Sequence, residues 1–230
     1  MHMGTKKRIR GRVKYFRVNR GYTLVELLVA LIVGLIVLGA LYGVFTVQNK
    51  QLNKEDQMAE MQQNARMAMD MMSKEIVMAG YGASGVTRCS GSTTASATPC
   101  LGISTANADS ISFSADLNEN GSITLDESVN PGENIAYSVF TDPDSGVQSL
   151  CRASNGEACS SSNTIIDHVS SLAFTYRNSA GSATTNLADI RTIEITIETR
   201  TPQIDRDLGT FRTYTLTSNV TPRNLGTVGY

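Results

Sequence analysis

The sequence has no tryptophan and contains only two histidines and five prolines among its 230 residues. His2 lies at the extreme N-terminus, so His168 is the one imidazole available to a site in the body of the chain. Neither a Gly-x-Ser-x-Gly nucleophile elbow nor a phosphate-binding glycine loop occurs, and these motifs would indicate a hydrolase or a nucleotide-dependent enzyme. The sequence therefore favours a protein that is not an enzyme, with His168 in a structural role.

The four cysteines include no Cys-x-x-Cys pair. With so few histidines, this argues against zinc, because structural zinc sites usually take their ligands at short spacing. Two disulfides are the better interpretation if the region is extracytoplasmic, and each short loop would then gain about 2–3 kcal/mol of stability. Three pairings are open, of which we favour the nearest neighbours, Cys89 with Cys100 and Cys151 with Cys159.

Charge is unevenly distributed, although the formal net charge is only −1. Residues 1–21 carry eight basic side chains and no acidic one, which leaves 12 basic against 21 acidic residues in the remainder, a net charge of −9. Such a remainder offers no strong cationic patch for nucleic acid. A basic head joined to an acidic body instead indicates that the two parts belong to different compartments.

An uncharged apolar segment, LLVALIVGLIVLGALYGVFTV, occupies residues 27–47. As a helix, its 21 residues would span roughly 30 Å, the thickness of the hydrocarbon core of a bilayer. Because the basic residues precede it, the positive-inside rule predicts a single-pass protein with its N-terminus in the cytoplasm and its C-terminal domain exported.

The motif that precedes this segment is Arg20-Gly21-Tyr22-Thr23-Leu24-Val25-Glu26. A secretory signal has its cleavage site after the apolar run, whereas here the candidate site comes before it. This order resembles the type IV prepilin signal of bacterial pilins. The resemblance implies that prepilin peptidase cuts after Gly21 and methylates the new N-terminal amine of Tyr22, a tyrosine where phenylalanine is commoner.

Glu26 requires an explanation, because a carboxylate at the mouth of a membrane helix is costly unless it is paired or reaches the interface. In pilins the matching glutamate is thought to pair with the N-terminal amine of a neighbouring subunit, and the resemblance assigns Glu26 this role in assembly. The alternative is a plain signal anchor with Glu26 in the headgroup zone, but that leaves Gly21, Thr23 and Leu24 unexplained.

The helix is expected to continue beyond the membrane, because apolar residues recur there in steps of three and four and form one stripe. The stripe comprises Met58, Met61, Ala65, Met69, Met72, Ile76 and Ala79. Gly80 supplies a helix stop, and the Ser/Thr/Gly/Ala-rich stretch that follows, to about Asp109, is interpreted as a loop.

Period-2 runs then predict strands around Ile111, Ile135, Leu172, Ile193 and Tyr214. Short strands without intervening helices indicate an antiparallel sheet with one buried face. The predicted fold class is α+β, with a long N-terminal helix packed on a C-terminal antiparallel sheet, as in pilins. We divide the chain into a leader (1–21), a membrane-spanning half-helix (22–47), an amphipathic half-helix (48–80) and a β-rich periplasmic head (81–230).

Three further stretches, residues 62–81, 107–121 and 212–225, resemble PilW-type minor pilins. This resemblance implies a minor subunit that helps to initiate a type IV pilus and lies at or near its tip. The implied partners are other minor and major pilins, prepilin peptidase and the inner-membrane assembly platform, and the implied final location is the filament. A J-type pseudopilin of a type II secretion system and a membrane-anchored adhesin or enzyme are the alternatives.

Residues 116–127 fit the calcium-loop pattern D-x-[DN]-x-[DN]-G-x5-E. In this interpretation the calcium ligands are side-chain oxygens of Asp116, Asn118 and Asn120, the carbonyl of Ser122, a direct or water-mediated contact of Thr124, and a bidentate Glu127. The affinity expected for such a loop in an exported domain is micromolar to millimolar. The alternative is a hairpin turn, because Asn-Gly between alternating apolar residues is a strong turn signal.

Overall fold

The structure, a computed structural model, describes residues 21–82, 87–95, 100–124, 128 and 132–225. Residues 1–20 of the predicted leader and Glu127 of the predicted calcium loop lie outside these described residues. The chain forms two compact units, one ending at Gln51 and the other beginning at Leu52.

One long helix and eight strands make up the described regular structure. They are α1 (Leu24–Val77), β1 (Gly102–Ala106), β2 (Ile111–Ser114), β3 (Asn134–Thr141), β4 (Gln148–Ser154), β5 (Thr164–Ile166), β6 (Val169–Arg177), β7 (Thr192–Arg200) and β8 (Thr213–Val220). Two short 3-10 turns, Ser161–Asn163 and Leu187–Asp189, connect strands. The predicted α+β class is confirmed.

The C-terminal part of α1 buries the predicted apolar stripe. Its buried residues are Met61, Ala65, Ala68, Met69, Met72 and Ile76, whereas Met58 is only half-buried. The helix ends at Val77, and a turn over residues 78–80 follows. Gly80 in this turn has φ +80°, and a Cβ there would approach Leu225 to 3.0 Å. Glycine thus suits this helix end both conformationally and sterically.

The strands form two antiparallel sheets rather than the single sheet that the period-2 pattern suggested. One has the order β1-β2-β3-β4-β5, and the other has the order β6-β7-β8. The chain passes from the first to the second between Ile166 and Val169, where His168 has φ +60°. Such a conformation is uncommon for a residue other than glycine, and it marks the break between β5 and β6.

Side chains from α1 and from both sheets meet in one hydrophobic core. Met72 and Ile76 of the helix belong to the same buried cluster as Phe113 and Tyr137 of the first sheet and Ile195 of the second. A helix stripe and two sheet faces can each bury their apolar residues only against one another, so this packing fixes the head of the molecule.

Polar contacts fix the helix against the first sheet. Glu75 of α1 accepts a hydrogen bond from the hydroxyl of Tyr137 on β3, at 2.5 Å, and from Nε of Arg152 on β4, at 3.0 Å. Burial, with the bond to Glu75, raises the pKa of Tyr137 above its ordinary value. Against the second sheet, the hydroxyl of Thr199 on β7 donates to the carbonyl of Met61, at 3.3 Å.

The disulfides are Cys89–Cys100 and Cys151–Cys159, the pairs favoured from their proximity in sequence. The interpretation of residues 81–109 as a loop was wrong for β1, which pairs with β2 and buries Ile103. The sequence of β1, GISTA, contains one large apolar residue and no clear alternation, so its strand conformation depends on pairing with β2.

Candidate processing segment and cation-binding loop

Residues Gly21, Tyr22 and Thr23 are exposed and precede the first helical residue, Leu24. A Cβ built on Gly21 meets no atom within 4 Å, and its φ lies outside the left-handed region that favours glycine. The described fold therefore does not itself require glycine at this position. A requirement for Gly21 would have to come from a protein that binds the segment.

Thr23 and Glu26 form a reciprocal capping box at the start of α1. The backbone N–H and the hydroxyl of Thr23 donate to Oε2 of Glu26, at 3.0 and 3.1 Å, and the N–H of Glu26 donates to the hydroxyl of Thr23, at 3.2 Å. This arrangement satisfies backbone donors that a helix start otherwise leaves unpaired. Within the described residues, Oε1 of Glu26 accepts no hydrogen bond.

The first half of α1 exposes its apolar side chains on every side. Within the described residues, α1 is the one helix long and apolar enough to cross a membrane by length and composition, and none of its most apolar window is buried. Side chains such as Leu31, Ile36 and Leu41 remain more than half exposed. A helix that is apolar all round fits a lipid environment or packing among other helices.

The predicted calcium loop begins directly after β2 and is wound around the carboxylate of Asp116. The backbone N–H groups of Asn120 and Gly121 donate to the two oxygens of Asp116, at 3.1 and 3.0 Å. Asn118 and Asn120 each accept a bond from the amide two residues later, at 3.0 and 2.8 Å. Gly121 has φ +74°, so the sharp turn falls where the motif has its glycine.

Glu133 lies beside Asp116, although it is 17 positions later in the sequence. Ser114 of β2 pairs with Asn134 of β3, and the next ladder bond runs from the N–H of Ala115 to the carbonyl of Glu133, at 3.0 Å. This hairpin pairing brings the two acidic residues to the same end of the sheet. Both are buried, with Asp116 0 % and Glu133 1 % exposed.

The carboxylate of Glu133 is incompletely paired. Its Oε1 accepts the N–H of Asn118 at 3.2 Å, whereas its Oε2 is buried without a hydrogen-bond partner among the described residues. Burial raises the pKa of Glu133 above its ordinary value; the backbone amides of Asn118 and Leu117 oppose this shift, and the charge of Asp116 adds to it. An ordinary protein interior pairs a buried carboxylate more fully than this.

Gly82 and Tyr81 support the start of the loop. The N–H of Asp116 donates to the carbonyl of Tyr81 at 2.8 Å, and a Cβ on Gly82 would approach Cβ of Asp116 to 2.7 Å. Real Cβ atoms do not come this close, so a larger residue at position 82 would displace Asp116. The hydroxyl of Tyr81 donates to Glu119, an exposed carboxylate of the loop.

The loop thus brings together Asp116, Asn118, Asn120 and Ser122, while the carbonyl of Thr124 accepts a bond from the side chain of Asn134 at 2.8 Å. The described residues contain no group of three or more His, Cys, Asp or Glu side chains placed to hold a metal. Sequence reasoning missed Glu133. Pairing the two predicted strands as a hairpin could have found it, because Asp116 follows one and Glu133 precedes the other.

Comparison with known families gave two matches. A family model described as prepilin peptidase-dependent protein B, PpdB, matches residues 54–221, more than half of the chain. A model of the prokaryotic N-terminal methylation motif matches residues 16–42, a span that contains Gly21, Tyr22 and Glu26. Searches of curated proteins and of solved structures returned no match.

These families are structural pilin-type proteins rather than enzymes, and they imply processing by prepilin peptidase and assembly with other pilins. The apolar half of α1 fits membrane anchoring of such a protein. The chain belongs to the prepilin peptidase-dependent protein B family of type IV pilin-like proteins.

Proposed function

We propose that this chain is a minor subunit of a type IV pilus, anchored in the bacterial inner membrane by residues 22–47 with its head in the periplasm. It helps to initiate the filament and lies at or near the tip. The observation that carries the proposal is the methylation motif, with Gly21 and Glu26, at the entrance of an exposed apolar helix. The proposal also places a Gly21–Tyr22 cut and N-methyl-Tyr22 at the start of the mature chain.

The geometry of Glu26 supports a role in assembly. Oε2 holds the start of its own helix by bonding to Thr23, and Oε1 accepts no bond from the described residues. One carboxylate can therefore cap its own helix and accept the amine of a neighbouring Tyr22 together. A charge-assisted bond between two helices that leave the bilayer would set their axial register.

The resemblance of residues 62–81, 107–121 and 212–225 to PilW-type minor pilins supports the minor role and the tip location. The methylation motif is equally compatible with a type II secretion pseudopilus. Deletion of the gene separates the two. We expect loss or strong reduction of surface pili with intact secretion, whereas failed secretion with normal piliation would contradict the pilus assignment.

The processing step is tested by expressing the full chain in a strain with active prepilin peptidase and determining the N-terminus by mass spectrometry. We expect N-methyl-Tyr22 in the wild type. Gly21→Ala should leave the longer precursor in the membrane, because the peptidase, rather than the fold, requires this glycine.

Gly34→Ala is the matched control, since a Cβ at Gly34 also meets nothing within 4 Å. It should be processed like the wild type. A wild-type chain that keeps residues 1–21, or a cut beyond residue 47, would show that the segment is not a prepilin signal.

A further inference from the structure

Two carboxylates are buried at the loop end of the β2–β3 hairpin. Asp116 follows β2 by two residues, and Glu133 immediately precedes β3. The ladder bond from the N–H of Ala115 to the carbonyl of Glu133, at 3.0 Å, fixes the backbone of the two acidic residues at this end of the sheet. The pair is therefore a built feature of the hairpin.

Burial of a carboxylate is strongly unfavourable unless the charge is paired or coordinates a metal. The oxygens of Asp116 receive two loop amides. For Glu133, no ion pair occurs among the described residues, and its Oε2 has no donor there. Since Oε1 of the same carboxylate is bound to the amide of Asn118, this orphaned oxygen lies against the loop.

The side-chain oxygens that the loop and Glu133 offer are of one chemical kind. Carboxylate oxygens come from Asp116 and Glu133, and amide oxygens come from Asn118 and Asn120. An all-oxygen set without histidine or cysteine suits a hard divalent cation. An irregular loop that supplies carboxylate and amide oxygens favours calcium over magnesium, because magnesium demands a near-ideal octahedron.

We propose that the loop binds one calcium ion through Asp116, Asn118, Asn120 and Glu133. Glu133 supplies the carboxylate that the linear motif assigns to Glu127, and it does so across the hairpin rather than along the loop. The cation gives the buried Oε2 of Glu133 its missing partner and ties the loop to the start of β3. This site is independent of the assignment to a pilus.

The test uses the full chain in detergent, stripped with EDTA and then titrated with CaCl2 or MgCl2. With a dissociation constant on the order of 10⁻⁴–10⁻³ M, 10 mM CaCl2 should raise the midpoint of thermal unfolding by about 3–10 °C. Isothermal titration should give one site per chain. MgCl2 at the same concentration should produce a smaller shift.

Glu133→Gln keeps the shape of the side chain and an oxygen for the amide of Asn118, but removes the charge. We expect it to weaken calcium binding at least about tenfold, a change of 1.4 kcal/mol, and Asp116→Asn to do the same. Glu119→Gln is the matched control, because the carboxylate of Glu119 contacts Tyr81 instead. It should bind calcium within about threefold of the wild type. Far-UV circular dichroism in EDTA checks that each variant is folded.

Glu127→Gln tests whether the last carboxylate ligand is Glu133, as proposed here, or Glu127, as the linear motif predicts. We expect this variant to retain calcium binding. The proposal is overturned if the wild type shows no heat and no shift at 10 mM CaCl2, if Glu133→Gln responds like the wild type, or if only Glu127→Gln loses the response. An equal response to magnesium would overturn the preference for calcium.

Discussion

At the scale of single residues, Glu26 combines two roles that a simple charge reversal or deletion cannot separate. Its Oε2 belongs to the capping box with Thr23, while the proposed function gives the same carboxylate an amine partner on a neighbouring subunit. Capping needs an oxygen acceptor, whereas attraction to an amine also needs the negative charge. A neutral isostere distinguishes the two requirements.

We predict that Glu26→Gln inserts into the membrane and retains the helix start, but enters filaments as poorly as Glu26→Ala does. The physical reason is that the glutamine oxygen still accepts from Thr23, but without the charge it holds an amine much more weakly. The measurement is the ratio of filament-bound to membrane-bound subunit by immunoblotting of sheared pili.

Glu60→Gln is the control for the two Glu26 variants, because Glu60 is an exposed glutamate farther along α1. We expect Glu60→Gln to assemble normally. Normal assembly of Glu26→Gln together with failure of Glu26→Ala would assign the residue to capping alone. Normal assembly of both would show that the carboxylate has no role in register.

Residue-level prediction from the sequence works best where a motif is local. The order of Gly21, Thr23 and Glu26 was visible because all three lie within six positions of one another, and the loop glycine Gly121 stands where the linear motif requires it. Glu133 was not visible, because its proximity to Asp116 depends on the β2–β3 register. The alternation of apolar residues predicts strands, but it does not predict which strands pair or which strand ends lie next to each other.

At the scale of elements, the amphipathic part of α1 is held mainly by its apolar stripe. Met72 is fully buried within the shared core, whereas Met67, less than two turns earlier, is 50 % exposed. The two methionines have the same chemistry and helix propensity. Replacing each of them by alanine should therefore change the free energy of unfolding by amounts that reflect their difference in burial.

We predict that Met72→Ala lowers the free energy of unfolding by about 2–5 kcal/mol, because it removes buried methylenes and leaves a cavity. Met67→Ala should change it by no more than about 0.5 kcal/mol. Urea unfolding of the full chain in detergent, followed by near-ultraviolet circular dichroism, measures both. Equal effects would show that the stripe does not pack as described.

The elements that sequence reasoning missed share one property. β1, β4 and β5 lack the regular alternation of large apolar residues that reveals β7, whose sequence is TIEITIETR. β4 contains Cys151, and Arg152 turns its side chain to Glu75 of the helix. Such strands are stabilised mainly by pairing with neighbouring strands, so their own sequences show little of the alternation from which a strand is predicted.

At the scale of the whole molecule, a cluster of charges joins the helix to a loop near the C-terminus. Asp205 lies between Lys54 of α1, at 3.2 Å, and Arg212, at 2.6 Å, and it also accepts the N–H of Asp207 at 2.9 Å. The amide of Asp207 and the side chain of Arg212, with help from Lys54, lower the pKa of Asp205 to about 2 from 3.8.

Because this carboxyl has a lower pKa in the folded chain, its contribution to stability is present above about pH 4 and is lost as the pH falls towards 2. We predict that Asp205→Asn lowers the midpoint of thermal unfolding at pH 7, and that its difference from the wild type shrinks between pH 4 and 2. Circular dichroism of the full chain in detergent measures this across the pH series.

Asp144→Asn, in the exposed turn after β3, is the control and should follow the wild type at every pH. A constant difference between Asp205→Asn and the wild type from pH 7 to pH 2 would show that the loss is steric rather than electrostatic.

The helix cap has a consequence for maturation of the entire chain. All of its donors and acceptors belong to Thr23 and Glu26, downstream of the Gly21–Tyr22 peptide bond. Proteolysis at that bond, and a methyl group added to the nitrogen it frees, would break none of these contacts. The first helical turn would then be the same in the precursor and in the mature subunit. Maturation would change the N-terminal group of the chain without any refolding of α1.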